Sequence, residues 1–263
     1  MSFLDSIILG IVEGITEFLP ISSTGHLILA SHVLGIAESE FLKTFEIAIQ
    51  LGAILAVVVL YWRTLTTNLE AWKRILTAFI PTAVLGLVLY QTVKSLLGSE
   101  ELVLWTLFLG GVFLVGFEMF YKKRTSVASP PAKGEVAKPE GVSLKKAFYI
   151  GLFQSVAMIP GVSRSAATIV GGLILGMERK AIVEFSFLLA IPTMLAATGL
   201  DLYKNASSFS SSDFSLLSVG FVVSFLTALI AVKTFLRFIE SHSFIAFGVY
   251  RILAAILFFF FIL

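Results

Sequence analysis

The stretch Glu13-Gly-Ile-Thr-Glu-Phe-Leu-Pro20-Ile-Ser-Ser-Thr-Gly-His26 places charged and hydroxylated side chains inside an apolar region of the chain. A second stretch of this kind, Pro160-Gly-Val-Ser-Arg-Ser-Ala-Ala-Thr168, interrupts another apolar region. Ionisable side chains are costly in a bilayer, so they are read first as parts of a functional site. Proline ends a helix because it lacks an amide N–H, and the serines that follow are good N-caps for the next helix. Each stretch therefore predicts a break between two short helices.

These breaks lie in two regions that behave alike, residues 3 to 36 and residues 144 to 177. Each half of such a region has about 12 to 16 residues, whereas a helix needs about 20 to cross a bilayer. Neither half can span the membrane alone. We therefore predict a re-entrant helical hairpin in each region, which returns to the side of the membrane from which it entered.

The composition of the whole chain indicates an integral membrane protein. Of its 263 residues, 57% are hydrophobic and 14% are charged, and the mean hydropathy is +0.97. A water-soluble domain could not bury so much apolar surface. The sequence contains no cysteine, which excludes disulfides and thiol catalysis. Six further apolar stretches are long enough to span, namely 41 to 62, 73 to 93, 102 to 121, 181 to 203, 214 to 236 and 242 to 263. The predicted fold is all-α, a polytopic membrane protein with six transmembrane helices plus the two re-entrant hairpins.

The two hairpin regions resemble each other, which indicates an internal duplication. The segment Gly10-Ile-Val-Glu13 is echoed by Gly151-Leu-Phe-Gln154, and each is followed by proline and then serine. Each half then has one hairpin and three spans, an odd number of crossings, so the second copy is inverted relative to the first. We predict a single membrane domain, 1 to 263, made of repeat 1 (about 1 to 121), a basic linker (about 122 to 143) and repeat 2 (about 144 to 263).

Lysine and arginine predict the orientation, because cytoplasmic loops are enriched in both. With the basic linker in the cytoplasm, most of the 19 basic residues lie on that side, and only Lys43, Lys94 and Lys204 fall outside. Both termini then face outward, the first hairpin enters from the outer side, and the second enters from the cytoplasm. Their breaks can therefore meet within the bilayer and form one site, which opens toward the outer side.

Glu13 and Glu17 are four residues apart, about 40° around a helix, so both carboxylates project from one face. Such a pair can share a divalent cation or divide the roles of acid and base. The alternative is a structural polar contact with the neighbouring repeat. The cost of two carboxylates in lipid favours the functional interpretation.

Ser23 and His26 are three residues apart on the helix that begins after Pro20, so hydroxyl and imidazole can meet on one face. An imidazole can deprotonate a serine or a water, and it could itself attack phosphorus. In the alternative interpretation Ser22, Ser23 and Thr24 only cap the helix, and His26 satisfies a buried contact.

The second stretch has the features of an oxyanion site. Gly161 allows close approach of the backbone, the amides that begin the next helix point at the ligand, and Ser163 and Ser165 add hydroxyl donors. Arg164 supplies a planar cationic fork that matches phosphate oxygens. Thr168, four residues later, could orient Arg164 or could be a plain helix-face threonine.

Arg251 lies near the middle of the last predicted span. A buried guanidinium there needs a partner. Glu13, Glu17 and the substrate are all candidates.

Both motifs resemble those of the bacterial undecaprenyl-diphosphate phosphatase family known as bacitracin resistance protein. The first signature of that family, an acidic pair followed by Pro-x-Ser-Ser-Thr-x-His, matches Glu13, Glu17, Pro20, Ser22, Ser23, Thr24 and His26. The second, Pro-Gly-x-Ser-Arg-Ser-x-x-Thr, matches residues 160 to 168 without departure. The resemblance covers essentially the whole chain, including the duplicated layout.

This resemblance implies hydrolysis of undecaprenyl diphosphate to undecaprenyl phosphate and inorganic phosphate, which recycles the lipid carrier of cell-wall synthesis and confers bacitracin resistance. It also implies a multi-pass protein of the bacterial cytoplasmic (inner) membrane, with its active site toward the periplasm. The expected partners are a polyprenyl diphosphate and membrane lipids, with no nucleic acid, and a homodimer is left open.

From spacing and resemblance together we expect Ser23 to attack the terminal phosphorus, with His26 as its base and Glu17 assisting. His26 as the direct nucleophile is the competing scheme. Glu13 and Glu17 are expected to hold a divalent cation such as Mg²⁺, with Ca²⁺ as the alternative. The expected phosphate-binding residues are Ser22, Thr24, Gly161, Ser163, Arg164, Ser165, Thr168 and Arg251.

A function of another class stays open at this point. Inverted repeats with broken helices at the midplane are a transporter layout, so a polyprenyl-phosphate flippase or an anion-coupled transporter is the alternative. Anion transport needs Arg164 and backbone amides but has little use for Glu13, Glu17 and His26 beside Ser23. The surplus of reactive groups favours the phosphatase.

Overall fold

A computed structural model describes residues 1 to 96, 99 to 127, 142 to 205 and 211 to 262. These residues form α-helices and no strand, which confirms the all-α prediction. A 3-10 turn occupies Val156–Met158. The helices of these ranges are α1 (Phe3–Thr16), α2 (Ser23–Val33), α3 (Glu40–Leu60), α4 (Trp62–Thr67), α5 (Leu69–Val88), α6 (Tyr90–Leu96), α7 (Glu100–Val127), α8 (Leu144–Ser155), α9 (Arg164–Ile174), α10 (Arg179–Asn205), α11 (Ser211–Ser241) and α12 (Ile245–Ile262).

Five of these helices are long and apolar enough to cross a membrane, by length and composition. They are Glu40–Leu60, Leu69–Val88, Glu100–Tyr121, Arg179–Gly199 and Phe214–Ser241, and they overlap the first five predicted spans. The sixth predicted span corresponds to α12, whose apolar part, Ile245–Phe260, is shorter. The protein is therefore a multi-pass helical membrane protein. Most of the predicted linker, residues 128 to 141, lies outside the described residues.

The helices break at the two polar stretches, as the prolines and serines predict. Helices α1 and α2 have 14 and 11 residues, and α8 and α9 have 12 and 11, so each is too short to span alone. Ser22 caps α2 by accepting from the Gly25 amide, and Ser163 caps α9 by accepting from the Ala166 amide. Each break contains a residue with left-handed backbone, since φ is 72° at Ser22 and 84° at Gly161.

The first helix of each broken pair packs against a long helix of the other half of the chain. Helix α1 lies along α11, and α8 lies along α5. The contacts are equivalent, because the Thr227 hydroxyl lies 3.4 Å from the Gly10 carbonyl oxygen and the Thr82 hydroxyl lies 3.0 Å from that of Gly151. The approach at Gly151 excludes any larger residue, since a Cβ there would lie 2.0 Å from the Ala78 carbonyl oxygen. The two halves therefore interlock.

The main hydrophobic core lies against the first break. Phe18 is fully buried, and its ring meets the ring of Phe187 edge to face with centroids 5.3 Å apart. At a second place the buried Glu118 carboxylate joins three helices: it pairs with Arg179 at 2.5 Å and accepts the Phe244 amide at 3.0 Å, where α12 begins. These contacts hold α7, α10 and α12 around the two breaks.

Candidate functional site

The two breaks touch each other directly, although they are far apart in sequence. The Arg164 guanidinium donates to the Glu17 carboxylate at 3.2 Å. The hydroxyls of Ser165 and Ser163 both donate to the carbonyl oxygen of Leu19, at 2.8 and 3.3 Å. One charged pair and two hydroxyl bonds thus join the chain before Pro20 to the start of α9, and the two polar stretches make a single site.

Glu17 is the centre of this site, because its two oxygens have different partners. One oxygen accepts from Arg164, and the other accepts from the Ser23 hydroxyl at 2.5 Å. Glu17 and Ser23 are both buried, with 7% and 8% of their surface exposed. A short bond to a buried carboxylate orients the serine and gives its proton an acceptor.

Arg164 is held by groups on three sides. It donates to Glu17 and, at 2.9 Å, to the carbonyl oxygen of Ser186, and its charge lies 5.8 Å from the centre of the Phe18 ring. Thr168 bonds the Arg164 carbonyl at 3.0 Å and the Ser186 hydroxyl at 2.6 Å. The Nε of Arg164 is buried without a hydrogen-bond partner among the described residues. The guanidinium is therefore oriented by two of its five N–H donors.

A cavity of about 210 Å³ opens beside these groups. Of the predicted site residues, Glu17, Ser22, Ser23, Thr24, Gly161, Ser163 and Arg164 line it. The other lining residues are Gln50, Thr82, Gln154, Ala157, Met158, Ile159, Pro160, Val162, Thr193 and Met194. The cavity lining thus combines polar groups from both breaks with aliphatic and thioether groups.

Five predicted site residues lie behind the cavity wall, namely Glu13, His26, Ser165, Thr168 and Arg251. Ser165 bonds the first break, and Thr168 bonds the Arg164 backbone carbonyl and the hydroxyl of Ser186, whose carbonyl oxygen accepts from the guanidinium.

His26 has other partners than the serine with which the sequence pairs it. Its Nδ1 lies 2.7 Å from the Ser22 carbonyl oxygen, and its Nε2 lies 2.8 Å from the Tyr250 hydroxyl. The same carbonyl also accepts from the His26 backbone amide, at 3.3 Å. Both ring nitrogens are therefore engaged, and the Ser23 hydroxyl bonds Glu17 instead.

Glu13 lies one turn before Glu17 on α1 and is fully buried. Neither of its carboxylate oxygens has a hydrogen-bond partner among the described residues. Orphaned carboxylate oxygens beside a second carboxylate fit a hard divalent cation. Within the same ranges no group of three or more His, Cys, Asp or Glu side chains could hold a metal. Among the described residues this pair therefore has no third acidic or imidazole ligand for a cation.

Arg251 is 1% exposed and meets backbone carbonyls rather than the carboxylates of Glu13 and Glu17. Its guanidinium donates to four carbonyl oxygens at 2.9 to 3.5 Å, those of Pro20, Thr106, Leu107 and Gly161. Space for it exists because residue 110 is glycine, where a Cβ would lie 2.2 Å from the guanidinium. The partial charges of these four carbonyls take the place that the sequence left open for Glu13 or Glu17, and contact with the substrate stays a prediction. Arg251 thereby ties both breaks to α7.

Sequence reasoning missed several residues of the site. The Gln154 amide donates to the hydroxyls of Thr82 and Thr193, at 2.8 and 3.1 Å, and all three line the cavity. The echo of Glu13 by Gln154 in the repeat was a signal for this network. No sequence pattern indicated Tyr250 as a site residue, because the residue that it contacts, His26, lies 224 positions earlier in the chain.

Nearly the whole chain is similar to proteins of one known family. The model of the bacitracin resistance protein BacA family matches residues 6–257. The chain is 54% identical to a protein named undecaprenyl-diphosphatase from Sulfurihydrogenibium sp., over 98% of this chain and 99% of that protein. It is 52% identical to the protein of that name from Aquifex aeolicus, over 96% of both chains, and 50% identical to the one from Persephonella marina, over 100% of both.

Proposed function

The chain belongs to the bacitracin resistance protein BacA family, and from that premise we propose how its two joined breaks perform the reaction for which its relatives are named. It is a membrane phosphatase that hydrolyses undecaprenyl diphosphate to undecaprenyl phosphate and inorganic phosphate. This reaction recycles the lipid carrier of cell-wall synthesis, and bacitracin resistance follows from it.

The contact of Glu17 with both Ser23 and Arg164 carries the proposed mechanism. Ser23 Oγ attacks the terminal phosphorus while Glu17 takes its proton. The bond from that phosphorus to the bridging oxygen breaks, and undecaprenyl phosphate leaves. Water then attacks the phosphoserine, Ser23 Oγ departs with a proton, and inorganic phosphate is released. Glu17, rather than His26, is the base in this scheme, because it is the group that Ser23 contacts.

Arg164 stabilises the charge that gathers on the transferred phosphoryl group. Its planar fork suits phosphate oxygens, and Arg164 is one of the residues that line the cavity. Ser22, Thr24 and Gly161 also line the cavity and surround the phosphates there. Because Arg164 is already oriented by Ser186, little reorganisation is needed when the substrate binds.

Glu13 and Glu17 would hold a divalent cation, Mg²⁺ or in its place Ca²⁺. The orphaned oxygens of Glu13 support this assignment. When bound, the cation supplies positive charge to the diphosphate oxygens.

The membrane layout consists of six spans plus two re-entrant hairpins, in two inverted repeats. Two observations support it: the broken helix pairs are too short to span, and α1 on α11 matches α8 on α5. The protein lies in the bacterial cytoplasmic membrane, and the cavity opens toward its outer face. The prenyl tail stays in lipid beside the apolar wall formed by Met158, Ile159 and Met194.

Transport of a polyprenyl phosphate or another anion is the second candidate function. It is favoured by one observation, that the cavity lies where two broken helices from different halves of the chain meet. The short Ser23–Glu17 bond favours hydrolysis, because transport needs no activated hydroxyl.

Phosphate release by the purified protein from undecaprenyl diphosphate distinguishes these functions. With Mg²⁺ or Ca²⁺ added, we expect the wild type to release phosphate and Arg164→Ala and Glu17→Ala to release almost none. Ser218→Ala, at an exposed position of α11, is the matched control and should retain full activity. Headgroup translocation in vesicles without phosphate release would overturn the phosphatase assignment in favour of transport.

A further inference from the structure

Tyr250 on α12 contacts the histidine of the first motif. Its hydroxyl lies 2.8 Å from His26 Nε2, and the two rings are nearly parallel, with centroids 5.4 Å apart. On the opposite side of the ring, Nδ1 lies 2.7 Å from the Ser22 carbonyl oxygen. A carbonyl oxygen only accepts, so Nδ1 carries the proton, and the Nε2 of a neutral imidazole then accepts from Tyr250. The bonds therefore run in one direction, from tyrosine through histidine to the Ser22 carbonyl.

The peptide at the end of this chain of bonds is strained. Ser22 has φ 72° and ψ 96°, and it is the only non-glycine with positive φ in the described ranges. Such a conformation persists only where neighbouring groups hold it. The Ser22 carbonyl is held twice by His26, through the ring at 2.7 Å and through the backbone amide at 3.3 Å. Ser23 follows directly, so the orientation of the Ser22 peptide sets the direction of the Ser23 side chain toward Glu17.

We propose that Tyr250 and His26 are positioning residues for the hydrolysis proposed above, which hold the strained Ser22 peptide so that Ser23 meets Glu17. Tyr250 fixes the ring of His26, and His26 fixes the carbonyl of Ser22. Neither side chain exchanges a proton with the substrate.

The surroundings of His26 support positioning over chemistry. His26 is 8% exposed and lies behind the cavity wall. For its Nε2 to reach phosphorus or to take a proton from Ser23, the Tyr250 hydroxyl would have to leave first. Arg251, the next residue on α12, bonds the carbonyls of Pro20 and Gly161. Two consecutive residues of one helix thus hold the backbone of both breaks.

A first test reads the hydrogen bonds without any assay of activity. The sequence has three histidines, so the double variant His32→Gln, His242→Gln leaves His26 alone. In ¹⁵N NMR of this protein with labelled histidine, we expect a protonated Nδ1 and an unprotonated, hydrogen-bonded Nε2. Tyr250→Phe should shift the Nε2 resonance, and Tyr149→Phe, another half-exposed tyrosine, should not. A protonated Nε2 with a bare Nδ1 would overturn the proposal.

A second test separates positioning from chemistry by conservative replacement. An asparagine amide reaches the place of Nδ1 and can still donate to the Ser22 carbonyl, whereas a glutamine amide reaches the place of Nε2. We expect His26→Asn to keep kcat within about tenfold of wild type and His26→Gln to lose about 10²-fold, the loss typical of a misplaced reacting group. If His26 were instead a base or a nucleophile, both variants would lose that function equally. Equal inactivity of the two variants would therefore overturn the proposal.

The tyrosine is tested by the same kinetics. Tyr250→Phe should lower kcat about tenfold, because the Ser23 hydroxyl is less well oriented toward Glu17. KM should stay nearly unchanged, because substrate binding is retained. Combined with His26→Asn, Tyr250→Phe should add little, because its partner nitrogen is gone. A wild-type kcat for Tyr250→Phe would contradict its role. If the wild type releases no phosphate, the proposed function fails, and the NMR result still decides where the His26 proton lies.

Discussion

Glu17 and Ser23 lie in different helical segments of a broken pair, yet Ser23 Oγ donates to the Glu17 carboxylate at 2.5 Å. The second oxygen of the same carboxylate accepts from Arg164 in the other half of the chain. One carboxylate thus connects the serine that we propose as nucleophile with the arginine that we propose as phosphate ligand. In the proposed mechanism these three groups are already in contact before the substrate arrives.

Replacing Glu17 by glutamine tests its role as the base. The amide keeps the size of the side chain but cannot take the proton, and its single oxygen can accept from Ser23 or from Arg164 but not from both. We expect kcat for phosphate release to fall by about 10³-fold, within the range for a lost general base. The midpoint of thermal unfolding should also fall, because the buried Arg164 guanidinium loses its charged partner. Activity within tenfold of the wild type would assign the base to another group.

Arg164→Lys tests the need for a planar fork. Lysine keeps the charge but cannot reach the Ser186 carbonyl and Glu17 in the same geometry, so the phosphoryl group is bound less well. We expect kcat/KM to fall by about 10²-fold. Steady-state kinetics on a prenyl diphosphate measure this loss, and an unchanged kcat/KM would mean that charge alone suffices.

Gly161→Ala tests the close packing of the second break. Its φ of 84° disfavours any side chain, and a Cβ there would lie 1.9 Å from the Thr106 hydroxyl. We expect a loss of about 2 kcal/mol or more in the free energy of unfolding, since backbone strain and a clash act together. Gly116→Ala is the matched control, because a Cβ at that helical position meets nothing. Equal thermal unfolding of the two variants in detergent would contradict the packing described.

Arg251→Met tests whether this arginine holds the backbone or contacts the substrate. Its removal leaves the carbonyls of Pro20 and Gly161 without their buried donor, at a cost of about 1–3 kcal/mol for each unsatisfied group. We therefore expect a lower midpoint of thermal unfolding together with lower activity. A large rise in KM at unchanged stability would instead indicate direct contact with the diphosphate.

Removal of divalent cations tests the pair of Glu13 and Glu17. Chelation should abolish phosphate release, and added Mg²⁺ should restore it. In Glu13→Gln the concentration of Mg²⁺ for half-maximal activity should rise about tenfold or more, as for other losses of a supporting group at a metal site. Isothermal titration calorimetry with Mg²⁺ alone measures the affinity of the wild type and of the variant for the cation. Full activity of the wild type in the presence of chelator would show that no divalent cation takes part in the reaction.

Much of the fold could be predicted because its signals are local in sequence. Pro20 and Pro160, each followed by serine, mark the helix breaks, and apolar runs mark five long helices. The interlocking of α1 with α11 could be anticipated only through the repeat, because no local pattern reports which distant helix will be a neighbour.

It was harder to predict which site residues contact one another than to predict which residues belong to the site. Helical spacing pairs Ser23 with His26, but the two ring nitrogens meet the Ser22 carbonyl and the Tyr250 hydroxyl, and Ser22 itself has a left-handed backbone. Serine rarely adopts this conformation, so no sequence rule indicates it. Arg251 was expected beside an anion, yet backbone carbonyls exposed by the two breaks provide its partners. Both differences arise from backbone geometry at the breaks, which side-chain patterns do not report.

Trapping the phosphoenzyme during turnover and mapping its label tests the central claim most directly. Acid quenching of the protein with a prenyl diphosphate labelled in the terminal phosphate should place the label on Ser23, and Ser23→Ala should neither trap label nor release phosphate. A label on His26, with Ser23→Ala still turning over, would contradict the account.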